Sequence, residues 1–169
     1  MVNLNKICIT LGDRSILCAL SEPMSVQKSI DIAGTVLVPT EKVWTLITDN
    51  SRVSTYFPFV KSSFSETIKT NTIRVSVDYW EGLFGTLRER CLVCEPKKEL
   101  RWRVEEDSRR VFSPDFIWGV RIEAKNENQC ILHFTASFET KNQMRSIIES
   151  FRLKFLFKKS LQAIQSALG

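Results

Sequence analysis

Several features that would identify common functional classes are missing from this 169-residue sequence. It contains one histidine, His133, which excludes a metal site built from several histidines. No apolar run approaches the ~20 residues that a membrane-spanning helix needs. The net charge of +5 is spread along the chain, and no aromatic–basic RNA-binding signature accompanies it. We therefore do not expect nucleic acid as a partner, whereas the charge permits weak contact with an anionic membrane surface.

The cysteines are few and odd in number, five in all. Most lie inside apolar runs, where a free cysteine behaves as a small hydrophobe, and the first 29 residues lack the apolar core of a secretory signal. These features predict a cytoplasmic protein without a disulfide framework. Cys91 and Cys94 have the spacing of a metal or redox pair, but on a straight strand they face opposite sides and no second pair follows. Neither a metal nor a cofactor is predicted.

The length predicts one main domain, residues 29–169, preceded by an extension of residues 1–28. In the extension, two short apolar runs flank Gly12-Asp13-Arg14-Ser15. This pattern is consistent with a hairpin or with a loosely ordered segment.

The main domain begins with a predicted strand, Ile30–Val38, and then a short helix that starts after Pro39 with Thr40 as a plausible N-cap. A second helical piece covers Ser51–Phe57. About six strands follow, in which apolar and polar residues alternate with a period of two. The links between them are short, which favours an antiparallel meander with one face exposed to solvent. Within them Val75, Val77 and Tyr79 are predicted to face the apolar side and Arg74 and Ser76 the other.

The last stretch, Asn142–Leu168, contains no glycine or proline and is predicted to form one long helix that covers the sheet. Basic residues alternate with its apolar positions, and these positions form two rows. One row is Met144, Ile147, Ile148, Phe151 and Phe155; the other is Leu153, Phe157, Leu161, Ile164 and Leu168. The whole pattern predicts an α+β domain.

The segment Val38-Pro39-Thr40-Glu41-Lys42-Val43-Trp44, followed by Asp49 and then Tyr56-Phe57-Pro58, resembles the START-like superfamily, also called birch-allergen-like. The stretch Phe57–Ser62 and the run Cys130–Phe138 before the long helix are most similar to the type 2 polyketide cyclase and coenzyme Q-binding group. The resemblance covers about residues 29–168. It implies a helix-grip fold, in which a curved antiparallel sheet wraps around the last helix and leaves a cavity.

The resemblance implies binding or transport of a hydrophobic small molecule, such as a lipid, quinone or polyketide-like compound, without catalysis. An enzyme of cyclase or dehydratase type is the first alternative. A ligand-free module that docks on a larger assembly is the second. Oligomeric state is not predicted.

Strand phase and helix spacing predict most of the side chains that enclose the ligand, and Tyr56, Tyr79, Trp80, Trp102 or Glu89 is predicted to orient its polar end. The predicted binding residues are Tyr56, Val77, Tyr79, Trp80, Phe84, Leu87, Glu89, Trp102, Trp118, Phe134, Phe138, Ile147, Ile148, Phe151 and Phe155.

Glu89 is the one candidate for acid–base chemistry, because it shares a strand face with Leu87 and Cys91 and would place a carboxylate inside. A bulge or a phase slip would instead put it in water. The apolar turn Tyr79–Gly85 could act as a gate or membrane-touching tip, or pack on the Ser51–Phe57 helix. His133 is predicted to point outward into solvent.

Overall fold

The computed structural model describes residues 10–11, 14–15, 26–68, 71–80, 83–110, 112, 115–140 and 143–169. Within these ranges the side chains of residues 10–11, 14–15, 26, 66–68, 71, 77–80, 83–84 and 143 are not described. In the extension, strands β1 (Thr10–Leu11) and β2 (Arg14–Ser15) pair antiparallel. The rest of the extension lies outside these ranges.

One seven-stranded antiparallel sheet dominates the described part of the chain, with the order β3-β9-β8-β7-β6-β5-β4. Its strands are β3 (Val26–Val36), β4 (Val60–Ile68), β5 (Asn71–Trp80), β6 (Leu83–Glu95), β7 (Glu99–Asp107), β8 (Ile117–Asn126) and β9 (Gln129–Thr140). The predicted meander is confirmed, and β3 closes it by pairing along its length with β9, from Val26 opposite Thr140 to Val36 opposite Cys130.

Three α-helices lie within the described residues: α1 (Thr40–Thr48), α2 (Val53–Tyr56) and α3 (Gln143–Leu168). A 3₁₀ turn, Asn50–Arg52, links α1 to α2, and the side chain of Asp49 caps it by accepting from the Ser51 backbone N–H. Thr40 is the first residue of α1 rather than its cap, because the N-cap position belongs to Pro39. The two short helices, the sheet and the long α3 together confirm the helix-grip α+β fold.

The long helix packs with its second apolar row against the sheet. Leu153, Phe157 and Ile164 are buried, and the rings of Phe157 and Phe134 on β9 stack 5.4 Å apart. Leu161 lies over Gly34 of β3, where any larger residue would collide with it. The absence of a side chain at Gly34 therefore makes room for Leu161 of the helix.

The first apolar row of α3 faces solvent, so the prediction that Ile147, Ile148, Phe151 and Phe155 face the sheet is wrong. Its exposed members are Met144, Ile147, Ile148, Phe151 and Phe155. Residues advance by about 100° around a helix, which places Phe151 on the side opposite Leu153. Only one side of the helix can contact the sheet. Because the row from Leu153 to Ile164 is buried there, the other row faces solvent.

Strand β5 also differs from the prediction. Arg74 and Ser76 are buried on the side of the sheet that α3 covers, whereas the prediction placed Val75 there. The predicted phase followed the more hydrophobic row, whereas the structure turns the polar row towards α3; Ile73 of the hydrophobic row is buried as well. Among the described residues, no helix combines the length and the apolar character needed to cross a membrane.

Candidate functional site

A small cavity lies between the sheet, α2 and α3. Its volume is about 40 Å³, and most of the residues around it are apolar. Its apolar lining consists of Val53, Phe57, Phe59, Val60, Leu87, Phe112, Phe116, Trp118, Leu153, Leu156 and Phe157. Its polar lining consists of Arg74, Ser76 and Glu89. An apolar enclosure with a few converging polar groups is the usual form of a small-molecule site.

Arg74 and Glu89 form a buried ion pair in the cavity wall. The two residues lie directly opposite each other on β5 and β6, and each is only 1% exposed. The Nε and Nη2 atoms of Arg74 each lie 2.8 Å from Oε2 of Glu89. The second carboxylate oxygen, Oε1, accepts a hydrogen bond from the indole N–H of Trp118. Both oxygens of Glu89 are therefore already engaged.

Two tryptophan rings hold the guanidinium group of Arg74. Its Cζ lies 4.3 Å from the ring centre of Trp102 and 4.9 Å from that of Trp118. These two residues are directly paired on β7 and β8. Cation–π attraction offsets part of the cost of burying the charge. In the described part of the chain, Nη1 of Arg74 makes no hydrogen bond of normal geometry.

Tyr56 lies behind this pair, in the core. Its hydroxyl donates to the carbonyl oxygen of Ile47 at 3.1 Å, and its ring meets that of Phe57 edge-on. Burial raises the pKa of Tyr56 to about 12, although the positive charge of Arg74 and the contact of its guanidinium group with the phenol oppose the rise. The phenol therefore stays neutral at ordinary pH.

The structure places part of the predicted ligand set around the cavity. Leu87, Glu89 and Trp118 line it, and Glu89 points inward despite a register shift between Arg88 and Glu89. Four other predicted residues are buried beside the cavity but do not line it: Tyr56, Trp102, Phe134 and Phe138. Phe138, for example, stacks on Phe116 with ring centres 6.1 Å apart.

Other predicted residues are absent from the wall or cannot be placed. Ile147, Ile148, Phe151 and Phe155 lie on the solvent side of α3, because the opposite row of that helix is buried. Val77, Tyr79, Trp80 and Phe84 lie on β5 and β6, and their side chains are outside the described residues, as is most of the predicted gate around residues 81–82.

Arg74 is the main site residue that sequence reasoning missed. It alternates with Ile73 and Val75, so hydrophobicity alone places it in water. Two charged residues of opposite sign on consecutive predicted strands, Arg74 and Glu89, were the available signal. Only the strand register, which places the two residues directly opposite each other, shows that they form a pair.

The remaining candidates are the cysteine pair and His133. Cys91 and Cys94 are free thiols, and burial raises the pKa of the Cys91 thiol. Within the described residues no cluster of three histidine, cysteine or acidic side chains could hold a metal ion. His133 lies on the sheet face away from α3, with Nδ1 3.2 Å from Oδ1 of Asp31 and Nε2 3.7 Å from Oε2 of Glu123.

A helix-grip sheet that closes over an apolar cavity defines a class of hydrophobic-ligand-binding domains. Residues 24–168 match the family described as polyketide cyclase / dehydrase and lipid transport, and the chain belongs to this family. A comparison with curated protein sequences finds no match.

Solved structures share the fold at low sequence identity. A START superfamily protein from Mycobacterium smegmatis superposes with a TM-score of 0.72 and 8% identity over 83% of this chain and 96% of that one. The Zhui aromatase/cyclase from Streptomyces sp. R1128 superposes with a TM-score of 0.70 and 14% identity, over 84% of this chain and 93% of that one. A truncated norcoclaurine synthase from Thalictrum flavum superposes with a TM-score of 0.68 and 11% identity, over 88% of this chain and 98% of that one. At these identities the likeness concerns the fold alone.

Proposed function

We propose that this domain binds and carries an uncharged apolar molecule that bears a carbonyl or hydroxyl oxygen, as many lipids, quinones and polyketide-like compounds do. The observation that carries the proposal is the buried Arg74–Glu89 pair in the wall of an otherwise apolar cavity. The apolar body of the ligand would contact the phenylalanine side of the cavity. Its oxygen would accept a hydrogen bond from Nη1 of Arg74.

The charge of the site favours a neutral ligand. Arg74 and Glu89 cancel each other, so a carboxylate entering the cavity would add an uncompensated buried charge. A ketone, ester or alcohol oxygen accepts the same hydrogen bond without that cost. Neutral oxygen-bearing compounds should therefore bind more tightly than fatty acids of equal length.

The cavity must widen to accept such a ligand, because its volume of about 40 Å³ is well below the 300–1,000 Å³ of typical ligand pockets. Phe57, Phe59 and Phe112 are only half-buried, and rotation of these rings would enlarge it. Removing apolar ligand surface from water contributes roughly 25 cal/mol per Å², which offsets the cost of this rearrangement.

Catalysis by Glu89 is less well supported. A general acid or base needs a carboxyl oxygen that is available to the substrate, and both oxygens of Glu89 already accept hydrogen bonds from Arg74 or Trp118. We therefore propose a carrier rather than an enzyme. The cytoplasmic location expected from the sequence remains a prediction.

Native mass spectrometry of the protein purified from its own host tests the proposal first, and a bound apolar mass is expected. Titration with a long-chain methyl ketone, the matching alcohol and the matching carboxylic acid tests the ligand class. The ketone and the alcohol should bind and the acid should bind at least tenfold more weakly, since a hydrogen-bonded charge effect exceeds about 1.4 kcal/mol. Tighter binding of the acid would contradict the proposal. Absence of any bound mass together with salt-sensitive capture of a protein assembly would favour a docking module instead.

A further inference from the structure

The solvent side of α3 carries a continuous apolar surface, which we call the outer stripe: Met144, Ile147, Ile148, Phe151 and Phe155. Their spacing places all five on one side of the helix over three turns. Phe151 is 75% exposed and Phe155 is 52% exposed. Isolated apolar residues on a surface are ordinary, but five contiguous ones mark an interaction surface.

Basic residues border the outer stripe. The helix segment from Met144 to Lys159 contains one acidic residue, Glu149, and five basic ones, Arg145, Arg152, Lys154, Lys158 and Lys159. At about 100° per residue, Arg152 and Lys159 lie along one edge of the stripe and Lys154 along the other. The ammonium group of Lys159 lies 5.8 Å from the ring centre of Phe155. The edges are thus positive while the centre is apolar.

We propose that the outer stripe docks on an anionic lipid surface, with α3 lying in the plane of the membrane. A helix with an apolar face and lysine and arginine edges inserts its apolar side chains below the headgroups while its basic residues contact lipid phosphates. The insertion fits the apolar component of the outer stripe, and the phosphate contacts fit its basic component. Neither component depends on the identity of the cavity ligand.

Other occupants fit the charge less well. A second copy packed through the same face would bring two basic edges together, because a two-fold interface repeats the same patch on both sides. The first 25 residues contain two basic and two acidic side chains, Lys6, Arg14, Asp13 and Glu22, so they have no net negative charge to match the stripe. An anionic lipid surface complements it directly.

Docking in this way would bring the cavity close to the membrane. The side of α3 opposite the stripe contributes Leu153, Leu156 and Phe157 to the cavity wall. A helix is about 10 Å across, so the cavity would lie about one helix diameter from the lipid headgroups. The surface thus adds a place where an apolar ligand could be exchanged.

Flotation with lipid vesicles tests the apolar part of the surface. The protein should bind vesicles of phosphatidylcholine mixed with phosphatidylserine more tightly than vesicles of phosphatidylcholine alone. Phe155→Ser and Phe151→Ser should each weaken binding roughly tenfold, the effect of losing one inserted phenylalanine. Phe64→Ser is the matched control, because Phe64 on β4 is also 52% exposed and lies away from α3. An equal loss in all three variants, or no loss in either helix variant, would overturn the proposal.

A charge arm uses Lys154→Glu, with Lys125→Glu at the exposed end of β8 as the control. Lys154→Glu should weaken binding to the mixed vesicles about tenfold and leave binding to the neutral vesicles unchanged, while the control changes neither. Sedimentation of the free protein completes the test. Self-association that Phe151→Ser abolishes, without vesicle binding, would assign the stripe to a second copy and overturn the proposal. Since no ligand is added, the result does not depend on the proposed cargo.

Discussion

Arg74 and Glu89 occupy directly opposed positions on β5 and β6, with Nη2 of Arg74 2.8 Å from Oε2 of Glu89 and both side chains almost fully buried. Burying two charges costs more in lost hydration than a surface pair would, and an apolar pair of similar size would be at least as stable. Because the pair lies in the cavity wall, the proposed function assigns it to ligand recognition rather than to stability.

The pair should show strong coupling in unfolding. Arg74→Met leaves the Glu89 carboxylate buried without its partner and should lower the free energy of unfolding by about 3–5 kcal/mol in urea titrations. The double variant Arg74→Met with Glu89→Met should be more stable than Arg74→Met alone, because no charge remains unpaired. Arg90→Met is the control: Arg90 pairs with Glu105 at the surface, and its loss should cost about 0–1 kcal/mol. Additive losses in the double variant would contradict the coupling.

Glu89→Gln should reverse the ligand preference. The substitution keeps the shape and an oxygen for the Trp118 N–H but leaves Arg74 as an uncompensated positive charge. A carboxylic acid would then restore neutrality, so its affinity relative to the matching ketone should rise about tenfold or more. Competition titrations measure the ratio directly. Leu92→Gln is a control for adding an amide to the same strand, since Leu92 is exposed. An unchanged ratio in Glu89→Gln would remove the charge argument for a neutral ligand.

Filling the cavity should abolish binding without unfolding the domain. Leu156→Trp introduces a larger ring into the wall, and overpacking should cost about 1–3 kcal/mol while ligand binding is lost. Ile148→Trp makes the same kind of change on the solvent side of the same helix and should leave both quantities nearly unchanged. Ligand titration and urea unfolding of the two variants separate these effects. Full binding by a folded Leu156→Trp variant would place the ligand elsewhere.

The fold could be predicted from the sequence because its elements differ in period. Apolar and polar residues that alternate with a period of two identify the strands from Val60 to Phe138. The absence of glycine and proline from Asn142 to Leu168 identifies the long helix. Short links then require antiparallel neighbours. These signals depend on local sequence, and the structure bears them out with element ends displaced by a few residues.

The site was less predictable for a physical reason. Assigning β5 by its hydrophobic row put Arg74 in water, whereas the structure buries its side chain in the cavity wall. Local rules fail most often where a polar group serves function. On α3 both rows are apolar, and tertiary contact with the sheet, by Leu161 on Gly34 and by Phe157 on Phe134, selects the buried one. Those contacts join residues far apart in sequence, so spacing along the helix cannot reveal them.

Gly34→Ala tests how α3 is held against β3. An added Cβ would overlap Cδ2 of Leu161 and lie 3.1 Å from its Cγ, so the helix or the side chain must shift. We expect a loss of about 1–3 kcal/mol in the free energy of unfolding. In a Leu161→Ala background the same substitution should cost much less, because the colliding atoms are gone. Equal costs in both backgrounds would show that the contact does not position the helix.

The buried phenol of Tyr56 should make the protein sensitive to alkali. Its pKa is about 12 in the folded state and 10.0 in the reference state, so between these values the unfolded chain releases a proton that the folded protein retains. The stability contributed by this difference is complete below pH 10 and is lost as the pH rises towards 12, roughly 2–3 kcal/mol in total. Urea unfolding across this range measures the loss. Tyr56→Phe lacks the ionising group and should lose less stability over the same interval, apart from a constant offset of about 1 kcal/mol for the lost hydrogen bond to Ile47. Parallel pH curves for the two proteins would show that Tyr56 does not control alkaline unfolding.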